Sequence, residues 1–268
     1  MKFYNYINEG RSQTIDLDYT LEYIEYNCSE IVNNYRKTKN YIYRGIPNTK
    51  PFLKISPKSF TRKSANTLNY YTILFDYLLD SWKNWPNRSE SIVCTSDSSN
   101  AAGYGNLFLV FPSNKNYIAK CPADDMWSSF MKNIYTDLDM FNQGLKKLMY
   151  KINPGDVVDF SPEELKQVLN HVKTSLHNDE DFLEYAKQKA PWLRKLIDDI
   201  LVSGEDMSMI EFLNYTLHPK RNGFELVNTS KGIGSDSGVE LWTTADSVMV
   251  NINRGMPKEI NELIKEDF

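Results

Sequence analysis

The apolar positions of the chain change period several times, and each change marks an element. Between residues 15 and 36, Leu17, Leu21, Ile24, Cys28, Ile31, Val32 and Tyr35 recur every three or four positions. That spacing draws one apolar stripe along a helix. Asn40-Tyr41-Ile42-Tyr43-Arg44 then reads as a short strand, stopped by Gly45 and Pro47. Residues 48–65 are polar, carry Pro51 and Pro57, and read as a loop. A second helix is expected from about Asn66 to Lys83, with Leu74, Leu78 and Trp82 on one face and Trp85-Pro86-Asn87 closing it.

Strands follow from Ser91 to Ser96 and from Leu107 to Phe111, with a third short one from Asn116 to Lys120. Residues 97–105, rich in Ser, Asn, Ala and Gly, read as a linker. From Met126 to about Leu217 the period is helical. Its clearest start is Ser161-Pro162-Glu163-Glu164, where Ser161 caps exposed amides, Pro162 suits the first turn and Glu164 reaches back. Leu165, Val168, Leu169, Val172 and Leu176 form the stripe behind it. A further helix over 179–202 restarts at Pro191 and ends at Gly204. Val239 to Thr243 and Ser247 to Ile252 are β-rich, lie one short turn apart and read as a hairpin. The order helix, strand, helix, strands, helical block, strands is α+β, not a regular βαβ alternation.

Composition narrows the class. Apolar residues make up 41% and charged residues 25% of 268 positions, enough for a real core. The formal charge is 31 minus 35, or −4, with no basic run of the kind that grips nucleic acid. Tyrosines occur along the whole chain, which fits packing under polar loops better than one stacking surface. No segment approaches the roughly 20 apolar residues of a membrane span, and the first residues carry no apolar signal core. The expectation is a cytoplasmic protein without a membrane partner.

Familiar catalytic motifs are missing. There is no phosphate loop, dinucleotide glycine fingerprint, nucleophile elbow or zinc-protease helix. Cys28, Cys94 and Cys121 have no metal-ligand spacing and read as buried thiols. His171, His177 and His218 all fall in the helical block, and the first two are six apart, so they share no helix face. No metal site is expected.

One constellation is left. Tyr43-Arg44-Gly45 closes an early strand, Cys94-Thr95-Ser96 closes a middle one, and Glu240-Leu241-Trp242 stands on a late one. Between them, Asn100-Ala101-Ala102-Gly103-Tyr104-Gly105 leads into an apolar strand ending at Pro112. An Arg, a hydroxyl cluster and a Glu on three strand ends resemble the arginine–serine–glutamate class of ADP-ribosyltransferases. The resemblance covers roughly residues 40–125 and 225–255. Two positions differ from the family pattern. Cys94 stands where the first serine is usual, and Gly238 stands where an acceptor-selecting Glu or Gln precedes the catalytic Glu.

The resemblance implies a single domain over 1–268 with a split two-sheet fold and a helical insertion at 126–217. It implies NAD as co-substrate, bound between the sheets, and transfer of ADP-ribose with release of nicotinamide. Arg44 would meet the pyrophosphate, beside Tyr43, Gly45 and Cys94; Thr95 and Ser96 would hold the cleft; Tyr104 would stack on nicotinamide. Glu240 would stabilise the developing ribose cation, with Asp246 a rival carboxylate. Arg62, Lys63, Ser64, Asn66, Asn69 and Arg88-Ser89 would line the nucleotide side, although a solvated polar loop explains them as simply. The compact, Asn- and Tyr-rich style is similar to that of large tailed-phage proteins, whose transferases of this class modify host proteins or, in some relatives, nucleic acid. The competing reading is a non-catalytic binding module on the same scaffold, since Cys94 and the single glutamate also suit a decayed site.

Overall fold

A computed structural model describes residues 12–57, 69–133, 161–171, 209–234 and 237–265. The chain divides into two compact units. The first takes Met1–Ala65, Trp85–Met126 and Phe224–Phe268, and the second takes Asn66–Asn84 and Trp127–Gly223.

The strands all belong to the first unit. They are β1 (Gln13–Thr14), β2 (Tyr43–Ile46), β3 (Phe52–Ile55), β4 (Ile92–Thr95), β5 (Asn106–Pro112), β6 (Tyr117–Lys120), β7 (Glu225–Asn228), β8 (Glu240–Thr243) and β9 (Ser247–Asn251). Among the described residues they form one antiparallel sheet of nine strands, ordered β1-β3-β9-β5-β2-β4-β8-β6-β7. The protein is therefore a mixed α/β fold around an antiparallel sheet. The ladder has a thin place. Four register pairs join β2 to β5 and four join β4 to β8, but a single one, Tyr43 with Thr95, joins β2 to β4.

Chain connectivity shows what happens at that seam. β8 and β9 are four positions apart in the sheet, which in a flat sheet is roughly 19 Å. Only Thr244, Ala245 and Asp246 connect them, a reach of roughly 14 Å when fully extended. The short link from β5 to β6 must cross a gap of the same four positions. The sheet is therefore bent, and the two links tie its halves together at one end. Ser113 N donates to the Asp246 carbonyl at 2.9 Å, and Thr243 Oγ1 donates to the Tyr117 carbonyl at 2.8 Å. For the same reason the expected β8–β9 hairpin does not form. Both strands exist, but each pairs with other strands, in opposite halves of the sheet.

Helices α1 (Leu17–Asn27) and α2 (Ser29–Thr38) supply the apolar stripe expected over 15–36, broken at Cys28. Asp16 caps α1 by accepting from Tyr19 N at 2.8 Å. Cys28 leaves helical geometry at φ −125° and donates its thiol to the Phe111 carbonyl at 3.3 Å. Ile24, Cys28, Ile31 and Tyr35 are buried with Phe108, Val110, Phe111 and Val248 of the sheet. Each such side chain contributes about 1.5–3 kcal/mol by leaving water.

Several elements differ from the sequence reading. Gly45 lies inside β2 instead of stopping it, paired with Leu107. Residues 52–55, inside the expected loop, form β3 between β1 and β9. Residues 98–102 form a short helix, α4 (Ser98–Ala102), because Asp97 accepts from Ser99 N at 2.7 Å and holds its first turn. A helix after the last strand, α8 (Lys258–Leu263), and the strand β7 also lay outside the expected pattern.

In the second unit, α3 (Asn69–Ile73) runs into a π turn over Leu74–Leu78. The extra residue rotates the stripe, so Leu79 is buried with Leu74 and Trp82 in place of the expected Leu78. α5 (Met126–Asn133) starts at the boundary between the units, and α6 (Pro162–His171) and α7 (Met209–Thr216) follow. Both arms of the α6 capping box are present: Ser161 N donates to Glu164 Oε2 at 2.8 Å, and Glu164 N to Ser161 Oγ at 3.2 Å. Rings of Phe75 and Phe130 stack at 5.6 Å, Tyr71 meets Trp127 edge-on at 4.6 Å, and Trp82 Nε1 donates to the Leu217 carbonyl at 2.8 Å. The expected helix over 179–202 lies outside the described residues, as does His177.

Gly45 gives the sharpest test of this packing. A Cβ there would land on the carbonyl oxygen of Ala101 in α4. Gly45→Ala is expected to cost about 3 kcal/mol or more, since backbone cannot step aside cheaply. Gly234→Ala has open space and only a left-handed φ of 72° against it, and should cost about 1–2 kcal/mol. Urea unfolding of the two variants measures the difference. A second expectation concerns thiols. Burial pushes Cys28 up to about 12, so at pH 8 it should react with a thiol reagent only as fast as the protein unfolds.

Candidate functional site

The three motif strands, from widely separated parts of the chain, are neighbours in the sheet: β2, β4, β8. Thr95 is in register with Tyr43 on one side and with Glu240 on the other. Opposed residues of antiparallel strands point to the same face, so these three side chains form a row across the seam. The row lies at the end of β4 and β8 away from the tied end.

Ser96 fixes the approach to β8. Its amide donates to the Val239 carbonyl at 3.0 Å, and its hydroxyl accepts from the Val239 amide at 3.0 Å. The residue before Glu240 is thereby clamped from both sides. Glu240 itself donates its amide to Ala123 at 2.9 Å and accepts at its carbonyl from Cys121 N at 2.9 Å. Thr95 Oγ1 accepts from Asp97 N at 3.1 Å and turns the chain into α4. Cys94, in the first position of the motif, is buried against Leu241, its sulfur 3.9 Å from the Ile92 carbonyl.

Arg44 is 9% exposed, and its Nη1 donates to the Val93 carbonyl of β4. The guanidinium thus spans the seam where the ladder has one register pair. Tyr43 is half-buried, and burial first, then Tyr41, raises its hydroxyl above the usual range. Tyr104 follows α4 and is 66% exposed, its Cβ close to Gly45. Arg62, Lys63, Ser64 and Asn66 lie outside the described residues. Asp246 is beyond the opposite end of β8, in the link to β9, where its charge falls near Tyr23 of α1.

Glu240 has a partner that the sequence reading placed on the nucleotide side of the cleft or in a solvated polar loop, not on the glutamate. Arg88 Nη1 lies 2.5 Å from Glu240 Oε1, with the two side chains 15% and 13% exposed. The Arg88 guanidinium also stands 5.4 Å from the centre of the Trp242 ring. Burial, the largest single influence, works against its charge, but Glu240, joined by Cys121 and Asp125, raises Arg88 above its usual value. Nothing in the local sequence around Arg88 marks this pairing, because its partner is 152 residues away.

A cavity of about 280 Å³ opens beside the row. Lys39, Asn40, Tyr41, Tyr43, Ser96, Asp97, Ser98, Ser237 and Gly238 line it, so the first and second motifs meet there while Arg44 and Glu240 do not line it. Among the described residues no cluster of His, Cys, Asp and Glu could hold a metal ion, and no helix is long and apolar enough to cross a membrane. The chain matches no family model, no curated protein and no solved structure.

The Ser96 clamp has a measurable strength. Ser96→Ala leaves the buried Val239 amide without its acceptor and should cost about 1–3 kcal/mol in urea unfolding. Ser96→Thr, which keeps the hydroxyl, should recover part of that loss.

Proposed function

We propose that the protein transfers ADP-ribose from NAD to a macromolecular acceptor. The observation that carries this reading is the register Tyr43–Thr95–Glu240 across three adjacent strands, which unites three motifs far apart in the chain. The bend at the β2–β4 seam supports the two-sheet split of the arginine–serine–glutamate class, and the adjoining cavity offers hydroxyls, tyrosine edges and Lys39 to a nucleotide.

The chemistry asks for little more than these groups. The bond between ribose C1′ and the nicotinamide nitrogen breaks, and nicotinamide leaves with the electron pair. Positive charge develops over C1′ and the ring oxygen, as in glycoside cleavage. The Glu240 carboxylate stabilises that charge and accepts a hydrogen bond from a ribose hydroxyl. An acceptor lone pair then forms the new bond to C1′, and the acceptor's proton passes to water. Arg44 acts here chiefly as the brace of the seam, because its Nη1 is bonded to Val93, and Tyr104 is exposed enough to stack on a ring. A host protein is the acceptor this reading favours, with nucleic acid the other class.

One observation favours a second reading, a non-catalytic binding module. Glu240 and Arg44 both hold partners inside the protein, Arg88 and the Val93 carbonyl, as charged residues kept only for structure would.

Glu240→Gln keeps shape and removes charge. It should lower NAD turnover about a hundredfold or more and leave NAD affinity nearly unchanged, the pattern of a lost transition-state contact. Asp246→Asn should leave turnover unaltered, because that carboxylate stands beyond the far end of β8. Calorimetry showing no NAD binding by the folded wild-type protein would sink the transferase and leave the binding module.

A further inference from the structure

We propose that Arg88 is the positioning residue of the site: it holds one oxygen of Glu240 and leaves the other as the oxygen that meets the substrate. This rests on the transferase reading of Glu240. The geometry is specific. Glu240 and Trp242 are two apart on β8 and so share a face. Arg88 reaches over both, its guanidinium above the Trp242 ring and its Nη1 on Glu240 Oε1. Among the described residues Glu240 Oε2 receives no hydrogen bond from the protein.

The platform beneath Arg88 is itself fixed. Trp242 is 1% exposed, and its Nε1 donates to the carbonyl of Pro86, two residues before Arg88. Phe224 meets Trp242 edge-on at 6.2 Å, and Trp85 meets Phe224 at 6.5 Å. The backbone of Arg88 lies in a short 3₁₀ turn over Arg88–Glu90, started by Glu90 N on the Asn87 carbonyl at 3.2 Å. The ring therefore sets where the segment runs, and the segment sets where the guanidinium sits. A carboxylate held by one oxygen against a rigid planar cation has lost the rotations that would otherwise spread its charge over several directions. Substrate then meets an anion already oriented, which matters most in a transition state that gains positive charge.

A lone brace between two loops would not need this arrangement. Asp125 and Cys121 are also electrostatic neighbours of Arg88, so Asp125 is the rival partner, and Arg88 could hold the region together through it. The two roles separate by experiment.

Thermal midpoints are measured for Arg88→Ala, Glu240→Gln and the double variant, and again with Asp125→Asn in place of Glu240→Gln. Coupling is expected in the first cycle, the second substitution adding little to the first, and near-additivity in the second. In parallel, Arg88→Ala should lower kcat for NAD consumption on the order of ten- to a hundredfold with KM nearly constant. Arg88→Lys should restore part of it, and it also serves if Arg88→Ala fails to fold. Additive midpoints for Arg88 and Glu240, or wild-type kcat in Arg88→Ala where Glu240→Gln is inactive, overturns the proposal. Coupling in a wild-type protein that consumes no NAD would refute the transferase and uphold the Arg88–Glu240 arrangement. NAD consumption without coupling would refute the arrangement and uphold the transferase.

Discussion

The seam between β2 and β4 is the constraint on which the rest of the first unit depends. An antiparallel ladder gains stability by repeating its hydrogen bonds, and here the repeat stops after one register pair, Tyr43 with Thr95. The Arg44 guanidinium on the Val93 carbonyl adds a charge-assisted bond at the place where the backbone supplies least. Because the ladder is thin there, the sheet can bend, and because it bends, links as short as Thr244–Asp246 can join strands of opposite halves. A full ladder at the seam would flatten the sheet and leave those links too short.

The same bend governs the site. Tied at one end through Ser113–Asp246 and Thr243–Tyr117, the halves also meet at the strand termini that carry the motifs. Ser96 clamps Val239, which sets the start of β8, and Thr95 sets the register of Glu240. Gly45 lets α4 press its Ala101 carbonyl against β2 where any side chain would hold it off. Residues that look like a catalytic list along the chain are, first of all, the parts that let two half-sheets meet.

Local patterns were legible where the governing interaction was local. The stripe of α1 and α2 and the capping box at Ser161–Glu164 depend on neighbours three or four residues away. The three motif strands were legible too, and they are neighbours in the sheet. Strand β3 was hidden because Phe52-Leu53-Lys54-Ile55 is short and set between prolines, and its reason for being a strand is pairing with the distant β9. The β8–β9 hairpin was misread for a related cause: a short turn between two β-rich runs fits a hairpin equally well, and only the bent sheet decides otherwise. The π turn at Leu74–Leu78 defeats a fixed 3.6 period by adding a residue to it. The pairing of Arg88 could not be found from its own surroundings, since its partners are a carboxylate and a ring on β8.

Electrostatics gives the last step. Two arginines, Arg44 and Arg88, are brought within one strand of the β4 edge, yet neither is spent on an exposed ion pair. Each has taken an oxygen of the protein as a partner: a carbonyl for Arg44, a carboxylate for Arg88. The Arg88–Glu240 pair sums to zero, so that charge is balanced inside the protein. At the adjoining cavity Lys39 and Asp97 stand together, one charge of each sign. A ligand there meets hydroxyls, tyrosine edges and a balanced pair of charges, with Arg44 and Glu240 off the lining. That balance suits a nucleotide and a protein partner alike, so what separates a transferase from a binding module is the second oxygen of Glu240, which receives no hydrogen bond from the described residues.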